Sequence, residues 1–291
     1  MISWDKPSIL GQWTLRIIMI ILAIVMIFPF AYVVATSFSS YKDVVGGNLI
    51  VLPLHPTLEA YSWLLNGGQV VQGLLISVTV AVVGTAISMF LTVTAAYGLS
   101  RSTVPGSKFL RWLVLLTLLI APSIITKYLV VRQLGMIDTL WALLIPSALS
   151  PFNLIVLRQF FINIPRELID SAKLDGANEM QILWRVVLPL SKASLAAVSL
   201  FYAVGHWNSF FDATIYLNNP QLYPISVILR LFVMQGGQQV ESVLPAPGQT
   251  PPPDLTLQMA VVVLSTAPIL LIYPFLQKHF TKGVLTGSIK G

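Results

Sequence analysis

The sequence contains no cysteine, which removes disulfide frameworks and thiolate metal sites while leaving the compartment open. Charge is scarce as well. Only 10% of the 291 residues are Asp, Glu, Lys or Arg, against roughly a quarter in an average soluble domain, and 56% are hydrophobic. A chain so poor in charge reads as a polytopic membrane protein, with no room for a separate soluble domain. Motifs for covalent chemistry or energy capture are missing too. Gly106-Ser107-Lys108 lacks the glycine spacing of a phosphate-binding loop, and neither a His-Glu-x-x-His pair nor a Gly-x-Ser-x-Gly elbow occurs. His55, His206 and His279 lie far apart, and no carboxylate pair sits deep in an apolar run, where a proton relay needs one. No enzyme activity, resident cofactor or metal is therefore expected of this chain. If it moves a solute uphill, another subunit supplies the energy.

What the sequence does have is long apolar runs. About 20 residues cross a bilayer core, and six runs qualify, near residues 14–37, 72–97, 110–131, 139–161, 188–217 and 255–277. The expected fold is all-α, a single transmembrane domain of six helices over residues 1–291. The first run follows Lys6 and Arg16 and has small residues near Ala35-Thr36-Ser37, yet it is long for a signal core and reads as a retained span. Pro122 is expected to kink the third run, and Pro146 and Pro151 to bend the fourth. Lys127 either snorkels to the interface or faces a wet cavity. Residues 218–254 read as an external loop whose prolines, from Pro245 to Pro253, preclude regular helix. The net charge of +6 fits orientation in a membrane better than nucleic-acid binding. With six spans, Lys42, Lys127, Arg132 and Arg230 fall on one side, and the other 13 of the 17 basic residues fall on the side of the termini. The positive-inside bias then places both termini and the 163–187 loop in the cytoplasm.

The chain is organised around residues 163–192, its longest charge-rich stretch between apolar runs. Asn163 is expected to cap a short helix, Pro165 to suit its first turn, and Glu167 and Asp170 to favour the positive end of its dipole. Gly176 ends that helix in the left-handed conformation. A second short helix follows from Asn178, and Pro189 marks the bend into the fifth span. Leu168, Ile169 and Ala172 form a narrow apolar stripe. On a loop in water such a stripe needs a dock, and the residues leave a protein groove and a lipid surface both open.

The fifth run carries the most polar cluster at membrane depth: Tyr202, His206, Trp207, Asn208, Phe210, Phe211 and Asp212. Aromatic faces and amides suit a sugar, whose CH faces stack on rings and whose hydroxyls need hydrogen bonds. An interfacial aromatic belt, with Asp212 already in water, explains the same residues. Asn153 and Gln159 on the fourth run are second-rank candidates, with helix–helix hydrogen bonding as their competing use.

Asp170-Ser171-Ala172, Asp175-Gly176-Ala177 and Val186-Val187-Leu188-Pro189 resemble the EAA loop of binding-protein-dependent ABC importer permeases. That loop reads Glu-Ala-Ala, three residues, Gly, nine residues, Ile, one residue, Leu-Pro. Asp170, Ser171 and Val186 depart from it but keep charge, small size and branching. Ile164-Pro165-Arg166-Glu167, Leu190, and the C-terminal wording from Gln277 to Gly283, ending in Gly287 to Gly291, are similar to the carbohydrate-uptake branch. The resemblance implies a type I importer permease fold with cytoplasmic coupling helices, in a bacterial cell membrane. It implies that Glu167, Leu168, Ile169, Asp170, Ser171, Ala172, Asp175, Gly176, Ala177, Leu188 and Pro189 couple the chain to an ATPase subunit. Leu168, Ile169 and Ala172 would give apolar contact, and Glu167, Asp170 and Asp175 would set orientation through paired charges. Gly176 would let the backbone turn closely against the partner, with a mere helix stop as the plainer alternative.

Met234-Gln235-Gly236-Gly237-Gln238 looks like the family's loop toward the solute-binding protein, or is an ordinary surface loop. The implied partners are a second homologous permease subunit, two ATPase subunits that bind ATP and Mg, an extracytoplasmic binding protein and membrane lipid. The implied function is ATP-driven import of a carbohydrate, an oligosaccharide, by alternating access. Two rivals stand beside it: an ion-gradient-driven secondary transporter, which predicts intramembrane carboxylates and an inverted repeat, and a permease for a non-sugar solute. A membrane enzyme lacks its catalytic constellation, and a scaffold leaves the loop motif unexplained.

Overall fold

The computed structural model describes residues 9–40, 43–44, 46, 53, 55–101, 104–120, 122–235 and 254–288, with backbone alone at residues 9–10, 235 and 273–288. Helix dominates these residues, and their one β feature is an isolated bridge between Ser39 and Pro56. In lipid every backbone group must find its partner internally, so an uninterrupted apolar run has helix as its one open-chain solution. Three such runs became long helices: α1 (Ile9–Ser37), α3 (Gln69–Ser100) and α13 (Asp254–Ser288). Within them Gly11–Ser37, Gln69–Ser100 and Asp254–Ile272 are long and apolar enough to cross a membrane. A short helix, α2 (Glu59–Asn66), lies between the first two.

The remaining expected spans are broken. The third divides into α4 (Ser107–Leu119) and α5 (Ile124–Gln133), which are bent by more than 40° at a break next to Pro122. Ser123 caps α5, its hydroxyl accepting from Thr126 N. The fourth, expected as a bent helix over 139–161, holds only α6 (Trp141–Leu144) and α7 (Pro151–Ile162). Pro151 occupies the first turn of α7 and Ser150 caps it, so proline starts a helix here rather than kinking one. The expected 218–254 loop needs correcting as well. It contains α12 (Ile225–Gln235), with Ile225, Ile228 and Phe232 buried at helical spacing, while residues 236–253 lie outside the described residues.

Two compact units are distinguished, residues 1–70 with 231–266, and residues 71–230 with 267–291. In the first, the chain after α1 folds back: Thr57 N donates to Phe38 O at 2.8 Å, and the Ser37 and Tyr61 hydroxyls lie 2.7 Å apart. Along α1, from Trp13 to Phe30, large apolar side chains on all faces stay exposed, a surface suited to lipid or to a membrane partner. In the second unit, Ala96, Leu154, Leu157, Phe161, Ile182, Val187 and Val198 meet in one core. That core joins α3 and α7 to the 163–192 stretch and the helix beyond it, so the loop is built onto the bundle.

Candidate functional site

α8 (Arg166–Leu174) begins after Pro165, not at Asn163. Asn163 instead closes α7: its N–H donates to Gln159 O, and its side-chain oxygen accepts from Gln159 Nε2 at 3.2 Å. The expected cap failed because the residue was already bound into the preceding helix. The far end of α8 is as expected. Gly176 has φ +81°, its N–H donates to Lys173 O at 3.0 Å, and Ala177 N donates to Ala172 O at 2.9 Å. This pair of bonds is a Schellman turn, which satisfies carbonyls that a helix end leaves open. A Cβ at Gly176 would meet nothing within 4 Å, so within this chain the glycine is required by its dihedral and not by close approach.

Asn178 opens the second helix with a capping box. Its Oδ1 accepts from Gln181 N at 2.8 Å, and Gln181 Oε1 accepts from Asn178 N at 2.9 Å. The helix, α9 (Glu179–Leu190), passes through a π-helical turn at Leu183–Val187. Pro189 lies in its final turn, and an 86° bend then leads into α10 (Lys192–Trp207).

The apolar stripe of α8 is divided between two surfaces. Ile169 is buried, and with Ala172, Ala177 and Leu188 it packs on the chain's own core. Its expected role as an outward contact is corrected, because this face of α8 is what fastens the loop to the bundle. Leu168 remains exposed, and Leu174, Met180 and Trp184 join it at 89%, 60% and 64% exposure. Glu167, Asp170, Ser171, Asp175, Gly176 and Pro189 are exposed around them. The exposed side of the stretch thus carries four large apolar side chains, and the carboxylates of Glu167, Asp170 and Asp175 are exposed along with them. The sequence reading missed Leu174, Met180 and Trp184. Met180 and Trp184, four apart with Ile182 and Leu183 buried between them, carried the available signal.

A polar knot ties the stretch to the end of α3. The Tyr97 hydroxyl, near the end of α3, donates to the Glu179 carboxylate and lies 3.2 Å from the Glu179 main-chain oxygen. Arg101 Nη2 donates to the Tyr97 hydroxyl at 2.9 Å and stands 3.7 Å from the carboxylate, with its guanidinium 4.7 Å from the centre of the Tyr97 ring. Lys173 Nζ holds the other carboxylate oxygen at 3.0 Å. The Tyr97 hydroxyl, Lys173 and Arg101 together hold the Glu179 carboxyl below its ordinary value of 4.5, against the opposing pull of partial burial. Tyr97 and Glu179 are 82 positions apart, and no local pattern connects them.

The fifth-run cluster is dispersed. Tyr202 and His206 are buried against α3 instead of lining an open path. The Tyr202 hydroxyl accepts from Ser150 N at 2.9 Å and shares a hydrogen bond with Thr92 at 2.6 Å, and His206 Nε2 lies 3.1 Å from Ser88 Oγ. Trp207 is buried beside a shallow cavity lined by apolar side chains, among them Ala81, Leu200, Val204 and Ile269, which gives a sugar no hydrogen-bond partner. Asn208 ends α10, its Nδ2 donating to Val204 O at 2.9 Å. Phe211, in α11 (Phe210–Tyr216), is exposed, and Asn153 is buried on α7. Met234 is exposed at the end of α12, Gln235 is that helix's last residue, and Gly236, Gly237 and Gln238 lie outside the described residues. Among the described residues no group of His, Cys, Asp and Glu is placed to hold a metal ion.

The site as built is an elbowed pair of short helices fastened to the core of the second unit. Over residues 10–286 the chain matches the family described as binding-protein-dependent transport system inner membrane component. It belongs to that family. Among fellow proteins, the polygalacturonan/rhamnogalacturonan transport system permease protein YtcP of Bacillus subtilis is 44% identical over 274 residues, covering 94% of this chain and 96% of the relative. The protein LplC of the same organism is 41% identical, covering 92% of this chain and 90% of the relative. A solved bacterial ABC transporter involved in importing the acidic polysaccharide alginate contains a chain that superposes with a TM-score of 0.87 at 27% identity, covering 95% of this chain and 99% of that one. As an inner membrane component of a transport system, the chain is a permease with the importer fold.

Proposed function

We propose that this inner membrane component translocates a carbohydrate, a fragment of a larger glycan, in an ATP-driven importer. The observation that carries the reading is the 163–192 stretch: two capped helices meeting at a glycine with φ +81°, anchored through Ile169, Ile182 and Val187 to the bundle core. Two relatives support the solute class, since one is a polygalacturonan/rhamnogalacturonan permease and a solved neighbour imports alginate. Acidic saccharides are the first to try.

In this reading the exposed patch of Leu168, Leu174, Met180 and Trp184 seats in a groove of a cytoplasmic ATPase subunit, with Glu167, Asp170 and Asp175 setting its orientation. The assembly holds a second homologous permease subunit, two ATPase subunits carrying ATP and Mg, and an extracytoplasmic binding protein. Six passages cross the membrane, the broken α4–α5, α6–α7 and α10–α11 each making one with its flanking segments, and both termini lie in the cytoplasm. Breaks are tolerable at membrane depth where the freed backbone groups face protein or water. The binding protein delivers the solute near Met234 and the residues that follow. ATP binding opens the cavity outward, and hydrolysis resets it. Asn208 and Phe211, the exposed members of the fifth-run cluster, are the remaining candidates for the solute path.

The test is Gly176→Pro in the complete assembly reconstituted in proteoliposomes. Proline fixes φ near −65° and lacks the N–H that Gly176 donates to Lys173 O, so the Schellman turn is lost. Insertion should persist while uptake and binding-protein-stimulated hydrolysis are uncoupled. Normal hydrolysis together with normal uptake would overturn the reading.

A further inference from the structure

The knot around Glu179 joins three elements that a moving loop must coordinate. Tyr97 and Arg101 belong to the end of α3 and the residue after it, Lys173 to the last turn of α8, and Glu179 to the first turn of α9. Two cations contest one carboxylate: Lys173 holds it at 3.0 Å while Arg101 waits at 3.7 Å, already tied to the Tyr97 hydroxyl. Lys173 and Glu179 both belong to the loop helices, so that pair travels with the loop. The bond from Tyr97 does not, because Tyr97 rides on a 32-residue helix of the bundle. A displacement of the loop therefore pulls on α3 through the Tyr97–Glu179 bond or trades it for a closer Arg101–Glu179 pair. Charge-assisted hydrogen bonds are about twice as strong as neutral ones, so either partner gives a stiff connection.

We infer that Glu179, held by Tyr97 and Arg101, is a positioning residue that transmits displacement of the 163–192 loop to helix α3, and that without it the ATPase runs but the bundle does not follow. This rests on the coupling reading given under Proposed function. The apolar contacts of Ile169 and Ile182 hold the loop in place, and the knot gives its motion a direction along α3.

The experiment uses the reconstituted assembly with its binding protein, measuring stimulated ATP hydrolysis and solute moved per ATP. Tyr97→Phe removes the hydroxyl but keeps the ring under Arg101, and Glu179→Gln keeps an acceptor for Tyr97 but removes the charge. Both should retain hydrolysis, while solute moved per ATP falls about tenfold in Tyr97→Phe, the weight of one hydrogen bond to a charged group, and by less in Glu179→Gln, where a weaker neutral bond remains. The double variant should be no worse than the worse single, as expected for residues acting as one unit. An unchanged ratio in Tyr97→Phe, or loss of assembly by that shape-conserving variant, overturns the inference even if Glu179→Gln does not assemble. Gly176→Pro run in parallel separates the two ideas. If Gly176→Pro is uncoupled while Tyr97→Phe is normal, only the link fails; if both are normal, the coupling reading fails with it.

Discussion

His206 packs its ring on Gly84: a Cβ built at that glycine would lie 2.7 Å from His206 Nδ1 and 2.8 Å from two ring carbons. The same ring reaches Ser88 one turn further along α3, at 3.1 Å. Small residues that let helices approach, with hydrogen bonds across the seam, are how membrane helices associate when apolar burial gives no preference between lipid and protein. Gly84→Ala must therefore displace the buried His206 ring from its seat on α3 and from its contact with Ser88. A loss of about 1–3 kcal/mol is expected, the usual cost of overpacking. It should appear as a lower melting temperature of the detergent-solubilised protein. Gly205→Ala is the control, since a Cβ there meets nothing within 4 Å.

The two faces of the 163–192 stretch should separate cleanly. Ile169→Ala opens a cavity in the core and should lower stability by about 2–4 kcal/mol. Trp184→Ala should leave stability nearly unchanged, because the ring is 64% exposed, and should weaken association with the ATPase subunit by about 2 kcal/mol, roughly thirtyfold. Thermal unfolding in detergent measures the stabilities, and titrating labelled ATPase subunit onto the permease pair in nanodiscs measures the affinity. Equal affinity for wild type and Trp184→Ala would remove the patch from the interface.

Asn208→Ala is expected to lower the maximal uptake rate while the assembly still purifies intact. Among the described residues the side chain makes one bond, to Val204 O of its own helix, so its removal disturbs little packing. Transport kinetics that match wild type would strike Asn208 from the solute path.

The knot gives a pH dependence whose sign is fixed. Glu179 is held below its ordinary 4.5, first by the Tyr97 hydroxyl, so the stability it contributes is complete above that value and is lost as pH falls through the lower folded-state value. The difference in melting temperature between wild type and Glu179→Gln should be flat from about pH 7 to 5 and shrink below about 4.5, because a protonated glutamate resembles glutamine. A difference that widens in acid would contradict the assignment of charge to Glu179.

These outcomes also mark what could be read from residues alone. α1, α3 and α13 announce themselves through length and lack of charge, which is all that a lipid-spanning helix requires. The turn at Gly176 and the start at Asn178 were legible because turn and cap chemistry is local. Facing was not. On helices apolar all round, burial and exposure leave no periodic trace, so nothing marked Ser88 and Thr92 as the α3 positions that meet His206 and Tyr202. Ile169 was assigned outward because an amphipathic stripe says that a surface is covered, not by which neighbour. The helix at 225–235 did leave a trace in Ile225, Ile228 and Phe232, masked by the loop expected around it. Proline was ambiguous for a physical reason: the same ring kinks a helix from inside and begins one from its first turn, as Pro151 does.

The π-helical turn at Leu183–Val187 has a geometric consequence of its own. One residue added to a helical turn advances the side chains beyond it by about 100°. Met180, ahead of that turn, is thus offset by this angle from where an unbroken α-helix would aim it relative to Leu188, which packs on the core. Removing one residue of that stretch other than Trp184 would restore a regular spiral and swivel one end against the other, changing where Met180 aims while every exposed apolar side chain is kept.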